Sequence, residues 1–415
     1  MGSKAHVCTV YLLLLFAFTS EALPNTFDVT KYGAKAGSDI TKALLSASKE
    51  GCAAAGSGKV VVPKGKYFLG VVDLIGPCKG AMHLQVERTL VAPAKAGQHG
   101  KNSWVTLRYL DRLTVSGGGN LRFDFVTNSI VEDVTSSDSK QFHVNVLGSK
   151  NLTFQRFSVK APGHSLHTDG IHIGRSEGIN IINSNIVTGD DCISIGQGSK
   201  QVRITNVRCG HGHVISVGSL GKYEKEEPVS GIYVKNCTIY DTDNGVIIKT
   251  WPALYGGIAS NIHFEDIVMQ NVSNPIIIDQ MYCPWNLCSW KKPSKVQISN
   301  VSFKNIQGSS RTPTAVQITC SSSNLRFDFV TNSIVEDVTS IDSNQFHVNV
   351  LGSKNLTFQR FSVKAPGHSL NTDGIHIGRS EGINIIHSNC NTRLDSGIGI
   401  PTVRWNLGCR RPLEG

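Results

Sequence analysis

Short segments in which apolar and polar residues alternate recur through the middle of the chain. Asn151–Phe154, Ile179–Ile182, Val202–Thr205, Ile232–Lys235, Ile262–Glu265 and Val296–Ser299 all read this way, at intervals of about 21 to 35 residues. Alternation is the period of a β-strand: it sends Val and Ile to one face and leaves polar side chains on the other. A second short apolar stretch follows each segment, such as Phe157–Val159 or Cys237–Ile239, with Gly, Asn, Asp and Ser between them. A strand pattern repeating at one coil length predicts a solenoid, in which each coil buries its apolar face by stacking on its neighbours. The expected fold is all-β, a right-handed parallel β-helix. A β-sandwich would instead show two-residue Asn-Gly hairpins, which are rare here.

Three regions depart from this pattern. Ile40–Cys52 has helical spacing and is expected to cap the open end of the solenoid, ahead of a first buried strand at Lys59–Pro63. Before it, Lys4 precedes the apolar run Val10–Phe18 and the small residues Ser20 and Ala22. That is the layout of a signal peptide, residues 1–22, and the run is too short to span a bilayer. The mature protein is therefore expected to be secreted and extracellular, with no membrane partner. Finally, residues 120–185 reappear as 324–389. Over 66 aligned positions they differ at four: Ser137/Ile341, Lys140/Asn344, His167/Asn371 and Asn183/His387. This is too close for ordinary solenoid repeats and reads as a recent tandem duplication or a join between gene models. The expected layout is a solenoid over 23–320, the duplicate over 324–389 and an irregular tail over 390–415.

Chemistry is concentrated in one stretch: His167-Thr168-Asp169-Gly170, Gly189-Asp190-Asp191-Cys192 and Cys209-Gly210-His211-Gly212-His213. Asp169 to Asp190 is 21 residues and Asp191 to His213 is 22. Each interval is one coil, so a solenoid stacks these residues on adjacent rungs about 4.8 Å apart. Like charges held together cannot all ionise freely, so at least one pKa rises and a proton donor stands beside proton acceptors. Paired carboxylates of this kind carry out glycoside hydrolysis. A single Asp more often sits in a turn; three with a histidine at coil spacing outweigh that reading.

These motifs resemble glycoside hydrolase family 28, the polygalacturonases, whose signatures are Asn-Thr-Asp, Gly-Asp-Asp, Gly-His-Gly and Arg-Ile-Lys. The chain has His167-Thr168-Asp169, Gly189-Asp190-Asp191, Gly212-His213-Val214 and Ile247-Ile248-Lys249. Gly245-Val246, Thr250-Trp251, Ser216–Gly221 and Tyr282-Cys283-Pro284-Trp285-Asn286 fit plant members, above all the pollen-type exopolygalacturonases. The resemblance implies a parallel β-helix enzyme that hydrolyses pectate in the plant cell wall with inversion, without cofactor or metal. Position by position, it implies that Asp190 protonates the leaving glycosidic oxygen and that Asp169 and Asp191 hold and deprotonate the attacking water. His213 would set the protonation of the acid. Lys249 would bind a galacturonate carboxylate, with Tyr282 and His167 lining the cleft.

The chain also departs from the family. Ile247 replaces an arginine whose bidentate grip on a carboxylate is worth roughly 1.5–3 kcal/mol. His167 replaces an asparagine, Val214 a glycine and His211 a proline. About one coil is missing where Gly117-Gly118-Gly119 runs into Leu121. The second copy carries Asn371-Thr372-Asp373 intact, but Cys390–Leu394 follows where Gly-Asp-Asp should. Asp373 therefore lacks acid partners, and the copy is expected to be non-catalytic.

The formal net charge of +10 suits a polyanionic partner. Secretion argues against nucleic acid, leaving an acidic wall polysaccharide (pectate) as the expected partner of a monomeric protein. Of eleven cysteines, Cys8 falls in the signal peptide. Cys192 with Cys209, Cys52 with Cys78, and Cys283 with Cys288 are candidate disulfides in an oxidising compartment. Cys320 has no evident partner. No Cys-x-x-Cys or His-rich spacing points to zinc. Sequons at Asn151, Asn236, Asn271, Asn300 and Asn355 are glycosylation candidates if exposed. Two other functions fit the sequence less well: a catalytically impaired pectate-binding protein, and a pectate lyase, which would need calcium and an arginine base.

Overall fold

The structure, a computed structural model, describes residues 24–92, 103–118, 121–213, 215–253, 255–284, 288, 294–312 and 316–319, and beyond them 325–328, 331–336, 339–341, 347–351, 353–364, 374–391 and 403–407. Two long sheets, one of fourteen strands and one of ten, wind around a common core, paired in parallel. The ten-stranded sheet comprises Val72–Ile75 (β1), Val105–Arg108 (β2), Leu121–Asp124 (β3), Val144–Leu147 (β4), Ile171–Gly174 (β5), Ile193–Ile195 (β6), Ile215–Leu220 (β7), Asn244–Thr250 (β8), Asn274–Asp279 (β9) and Val316–Thr319 (β10). Spatial order follows chain order, each strand pairing with that of the next coil. The chain is the expected right-handed parallel β-helix.

Alternation along these strands decides what is inside. Ile171, Ile193, Ile215, Val246 and Ile276 are Cα partners in succession and all buried. Burying each such side chain contributes about 1.5–3 kcal/mol. The residues between them face outward and also align: Asp73, Thr106, Arg122, Asn145, His172, Ser194, Ser216, Ile247, Ile277 and Gln317 form one ladder from β1 to β10. This ladder is the floor on which the functional side chains stand.

The expected capping helix, α1, spans Thr41–Ala53 and buries Ala43, Leu44 and Ala47 against the first coils. Its start is secured by Asp39, whose carboxylate accepts from the Thr41 N–H at 2.8 Å. Only a glycine fits at position 58, where a Cβ would lie 2.3 Å from the Gly51 carbonyl oxygen of α1. The expected first strand is present at Gly58–Val62.

Three findings refine the sequence reading. Cys237–Ile239 is not a separate strand: Val229–Tyr240 is continuous and pairs through Ala259–Gln270. Where the resemblance implies an absent coil, β2 pairs directly with β3, Val105 to Leu121 and Arg108 to Asp124. The C-terminal tail is not wholly irregular, since Val403–Leu407 forms a strand beside Ile383–Ser388. The second copy repeats the register of the first in sheets of its own, Leu325 to Val348 to Ile375 matching Leu121 to Val144 to Ile171. All five sequon asparagines are exposed at corners with left-handed backbone, φ 50° to 57°, a conformation that short polar side chains tolerate.

Candidate active site

Asp169, Asp191 and His213 each stand two residues before β5, β6 and β7, whose first residues Ile171, Ile193 and Ile215 are register partners. The coil spacing therefore stacks them on consecutive rungs, and Asp190 turns from its neighbour Asp191 towards His213. Asp169 and Asp191 are buried. Asp169 Oδ2 accepts from Ser194 Oγ at 2.5 Å. Asp191 Oδ2 accepts from Ser216 Oγ at 2.6 Å and Lys249 Nζ at 3.0 Å. Its other oxygen, Oδ1, is buried with no hydrogen-bond partner among the described residues. Asp190 is more accessible. Its Oδ1 lies 2.9 Å from His213 Nδ1 and accepts from the Asp191 N–H at 2.8 Å, while Oδ2 accepts from the His167 N–H at 3.1 Å.

This geometry divides the protons unequally. Burial pushes the Asp169 carboxyl up to about 7, with the Asp191 charge adding to the effect and the Ser194 hydrogen bond and Lys249 opposing it. Burial pushes Asp190 up too, but the His213 hydrogen bond and charge, the Asp191 N–H and Lys249 outweigh it, so its carboxyl lies below the ordinary value. The hydrogen bond to Asp190 raises His213 above the usual imidazole value, against the effect of burial. Burial would lower Lys249, yet the neighbouring Asp191 charge turns the net shift upward. At mildly acidic pH Asp169 is thus neutral, Asp190 ionised, and His213 and Lys249 cationic. Burial drops His172 to about 4, leaving it a neutral partner of Ser194 Oγ at 2.8 Å. Asp190, Asp191 and His213 also offer one ligand atom each within 4.8 Å of one another, beside the Lys249 ammonium.

Of the remaining expected residues, Tyr282 places its ring 5.3 Å from Lys249 Nζ and edge-on to Trp251 at 6.4 Å. His167 reaches Asp190 through its main-chain N–H, and its ring Nδ1, on a side chain 73% exposed, lies 4.0 Å from Asp190 Oδ2. Ile247 belongs to the outward ladder: Val246 and Ile248 join the core, while Ile247 and Ile277 form a separate small cluster.

The sequence profile of glycosyl hydrolases family 28 matches residues 119–325 and 322–404. The chain belongs to this family. A polygalacturonase of Gossypium barbadense is 49% identical over 341 residues, covering 75% of this chain and 84% of the relative. An exopolygalacturonase of Oenothera organensis is 52% identical over 312 residues, covering 69% and 86%. Among solved structures, the family 28 exopolygalacturonase of Yersinia enterocolitica superposes with a TM-score of 0.58 at 16% identity, over 87% of this chain and 78% of that one. The endo-xylogalacturonan hydrolase of Aspergillus tubingensis gives 0.57 at 19% identity, over 91% and 99%. At such identities these two establish the fold alone.

The family 28 hydrolase holds its carboxylates with residues to which motif reading gave no role. Ser194 and Ser216 fix Asp169 and Asp191, and His172 backs Ser194. Their signal was the alternation itself: in Ile193-Ser194-Ile195 and Ile215-Ser216-Val217 the polar residue between two core residues must face the cleft. The disulfides Cys52–Cys78, Cys192–Cys209 and Cys283–Cys288 are all formed, the second holding Asp191's neighbour to the adjoining coil. Cys237 is a buried free thiol. Val214, Trp285, Asn286, Cys320, Asn371 and Asp373 lie outside the described residues.

Proposed function

We propose that this enzyme hydrolyses the α-1,4-galacturonosyl linkages of polygalacturonate with inversion, as a secreted, monomeric, exo-acting enzyme of the plant cell wall. Its relatives bear the names polygalacturonase and exopolygalacturonase, and a net charge of +10 suits a polyuronate. No helix among the described residues is long and apolar enough to cross a membrane. The candidate signal peptide, residues 1–22, lies outside them.

The observation that carries the mechanism is the unequal treatment of the carboxylates. Asp191 keeps one oxygen tied to Ser216 and Lys249 and the other unpartnered and buried. Asp191 is the base that takes a proton from the attacking water, a small turn of its side chain bringing the unpartnered oxygen to the water that Asp169 holds. Asp190 and His213 share a proton across 2.9 Å. Before reaction it rests on His213, and Asp190 draws it across to the leaving oxygen as charge develops there. Such a positioned acid contributes about 10²–10⁴ in rate. A second reading has one observation in its favour: Asp169, held up to about 7, is itself the donor. The 324–389 copy and its Asp373 take no part in either reading.

Release of reducing sugar from polygalacturonate tests the reaction. A calcium-dependent unsaturated product would replace it with a lyase, and binding without turnover with a wall-binding protein. An aryl galacturonide with a good leaving group identifies the acid. Asp190→Asn should lose about 10²–10⁴ on polygalacturonate and far less on the aryl substrate, which needs little protonation. If Asp169→Asn shows that rescue instead, the second reading replaces the first.

A further inference from the structure

Lys249 is the expected anchor for a substrate carboxylate, yet its ammonium is already bonded to Asp191 at 3.0 Å and only 13% of its side chain is exposed. Ile247 beside it offers no donor. A site that binds a polyuronate needs a cation whose charge is not spent on the protein. We propose that Lys222 is that cation: a specificity-determining residue that binds the carboxylate of a uronate unit next to the cleavage site. The assignment rests on the polyuronate reading of this site.

Three observations support it. The first is position. Lys222 follows β7 directly, and the Trp251 N–H donates to the Leu220 carbonyl at 2.7 Å, so the ends of β7 and β8 stand side by side. Lys222 Nζ lies 4.9 Å from the Trp251 ring centroid, Trp251 packs edge-on to Tyr282, and Tyr282 carries Lys249 Nζ at 5.3 Å. The two ammoniums bracket two aromatic rings, which continues the catalytic site along the strand ends.

The second is availability. Lys249 has Asp191, whereas Lys222 makes no ion pair among the described residues; its recorded contacts are the rings of Trp251 and Tyr223, the latter at 5.2 Å. Glu224, two residues on, is exposed and makes no ion pair with Lys222 among the described residues, and Glu226, four residues on, is spent on the main chain: its carboxylate accepts from the Gly221 N–H at 2.7 Å and the Tyr223 N–H at 2.8 Å.

The third is preorganisation. Those two bonds clamp the main chain on either side of Lys222. Gly221 takes φ +86°, and a Cβ there would meet Val296 Cγ2 at 2.7 Å. The lysine is thus held over Trp251, which lowers the ordering cost of binding. The Trp251 ring is itself buried and serves as the support for the lysine, so a uronate carboxylate meets the ammonium from the solvent side.

The test compares Lys222→Met, which keeps the apolar stem over Trp251, with Lys222→Arg and with Lys225→Met, which removes an exposed charge from the same loop. For polygalacturonate, Lys222→Met should raise KM about tenfold, the scale of one lost charge-assisted contact, and change kcat less than about twofold. Lys222→Arg and Lys225→Met should stay within about twofold of the parent. On highly methyl-esterified pectin the difference between Lys222→Met and parent should vanish, since the recognised charge is gone. An unchanged KM in Lys222→Met, or the same rise in Lys225→Met, overturns the assignment while leaving the hydrolase reading intact. If the parent protein turns nothing over, calorimetry with hexagalacturonate decides the same point. A Kd about tenfold weaker in Lys222→Met upholds the anchor in a binding protein; equal values, or no binding by the parent, overturn it.

Discussion

The two copies of one 66-residue segment, 120–185 and 324–389, show how little of the chemistry resides in the segment itself. They differ at four positions; where both are described many contacts recur, although Ile171 and Ile173 are buried and their counterparts Ile375 and Ile377 only partly so. Phe154 and Phe157 meet edge-on at 5.7 Å and 84°, and Phe358 and Phe361 at 5.5 Å and 81°. Ser184 Oγ accepts from the Phe157 N–H, and Ser388 Oγ from that of Phe361. His143 and His347 are both fully buried. What separates the copies is the next two coils. The first is followed by β6 and β7, which supply Asp190, Asp191, Ser194, His213 and Ser216; the second is followed by Cys390–Leu394. An aspartate becomes part of this site through the rung stacked on it.

The paired aspartates give the sharpest way to break this comparison. Asp169→Asn should lower turnover on polygalacturonate by about 10² or more, in the range expected for a group that positions or activates the reacting water. Asp373→Asn should leave it within about twofold. The measurement is initial-rate kinetics on the full chain. The reverse result would make the second copy the working one.

Next in size are the paired phenylalanines. Phe154 and Phe358 are both fully buried, and each Phe→Ala change should cost about 3–5 kcal/mol locally. Solenoid stability is transmitted mainly between neighbouring coils. Phe154→Ala should therefore lower the temperature at which activity is lost, and Phe358→Ala should not, although calorimetry should record a destabilised segment in both. Equal loss of activity would show that the copies melt as one unit.

The fold was legible because its cause is local. Alternation in Ile179–Ile182 or Val202–Thr205 is repeated at coil spacing, and stacking needs nothing more. The acid cluster was legible for the same reason, since Asp169, Asp191 and His213 hold equivalent places before β5, β6 and β7. What the sequence concealed were relations between coils that are not adjacent. Lys249 lies 58 residues from Asp191, so the pair that occupies its charge left no local trace. The proton distribution was hidden as well. Motif order suggests Asp190 as the protonated carboxyl, but burial and neighbours place the high pKa on Asp169.

Ile247 tests the cleft more gently. It shares the outward face with Lys249, as alternation on β8 requires, and packs on Ile277 outside the core. Ile247→Arg should lower KM for polygalacturonate about tenfold through charge-assisted hydrogen bonds, with kcat changing less. The second copy has no counterpart of β8, so an effect of this size locates binding at the first copy. An unchanged KM in a folded variant would mean that residue 247 does not meet substrate.

The last expected effect concerns pH. Asp169 titrates near 7 in the folded protein because burial and the Asp191 charge disfavour its ionised form, whereas an unfolded Asp titrates near 3.9. A raised folded pKa means that the native state binds the proton more tightly. The resulting stability is fully present below about pH 4 and is lost as pH rises through about 7. The cost is strain stored at the site, and it should disappear in Asp169→Asn, which is neutral at every pH and can still accept from Ser194. The variant should be more stable than the parent by up to about 4 kcal/mol at pH 8, the rise from near 3.9 to about 7 at about 1.36 kcal/mol per pKa unit, with the difference closing as pH falls towards 4. Denaturant unfolding at the two pH values measures it. Asp373→Asn, with no neighbouring Gly-Asp-Asp, should show no such pH dependence. A parent and an Asp169→Asn protein of equal stability at pH 8 would mean that Asp169 is ionised there at no cost, and its proton could not then take part in the division of roles among the three carboxylates.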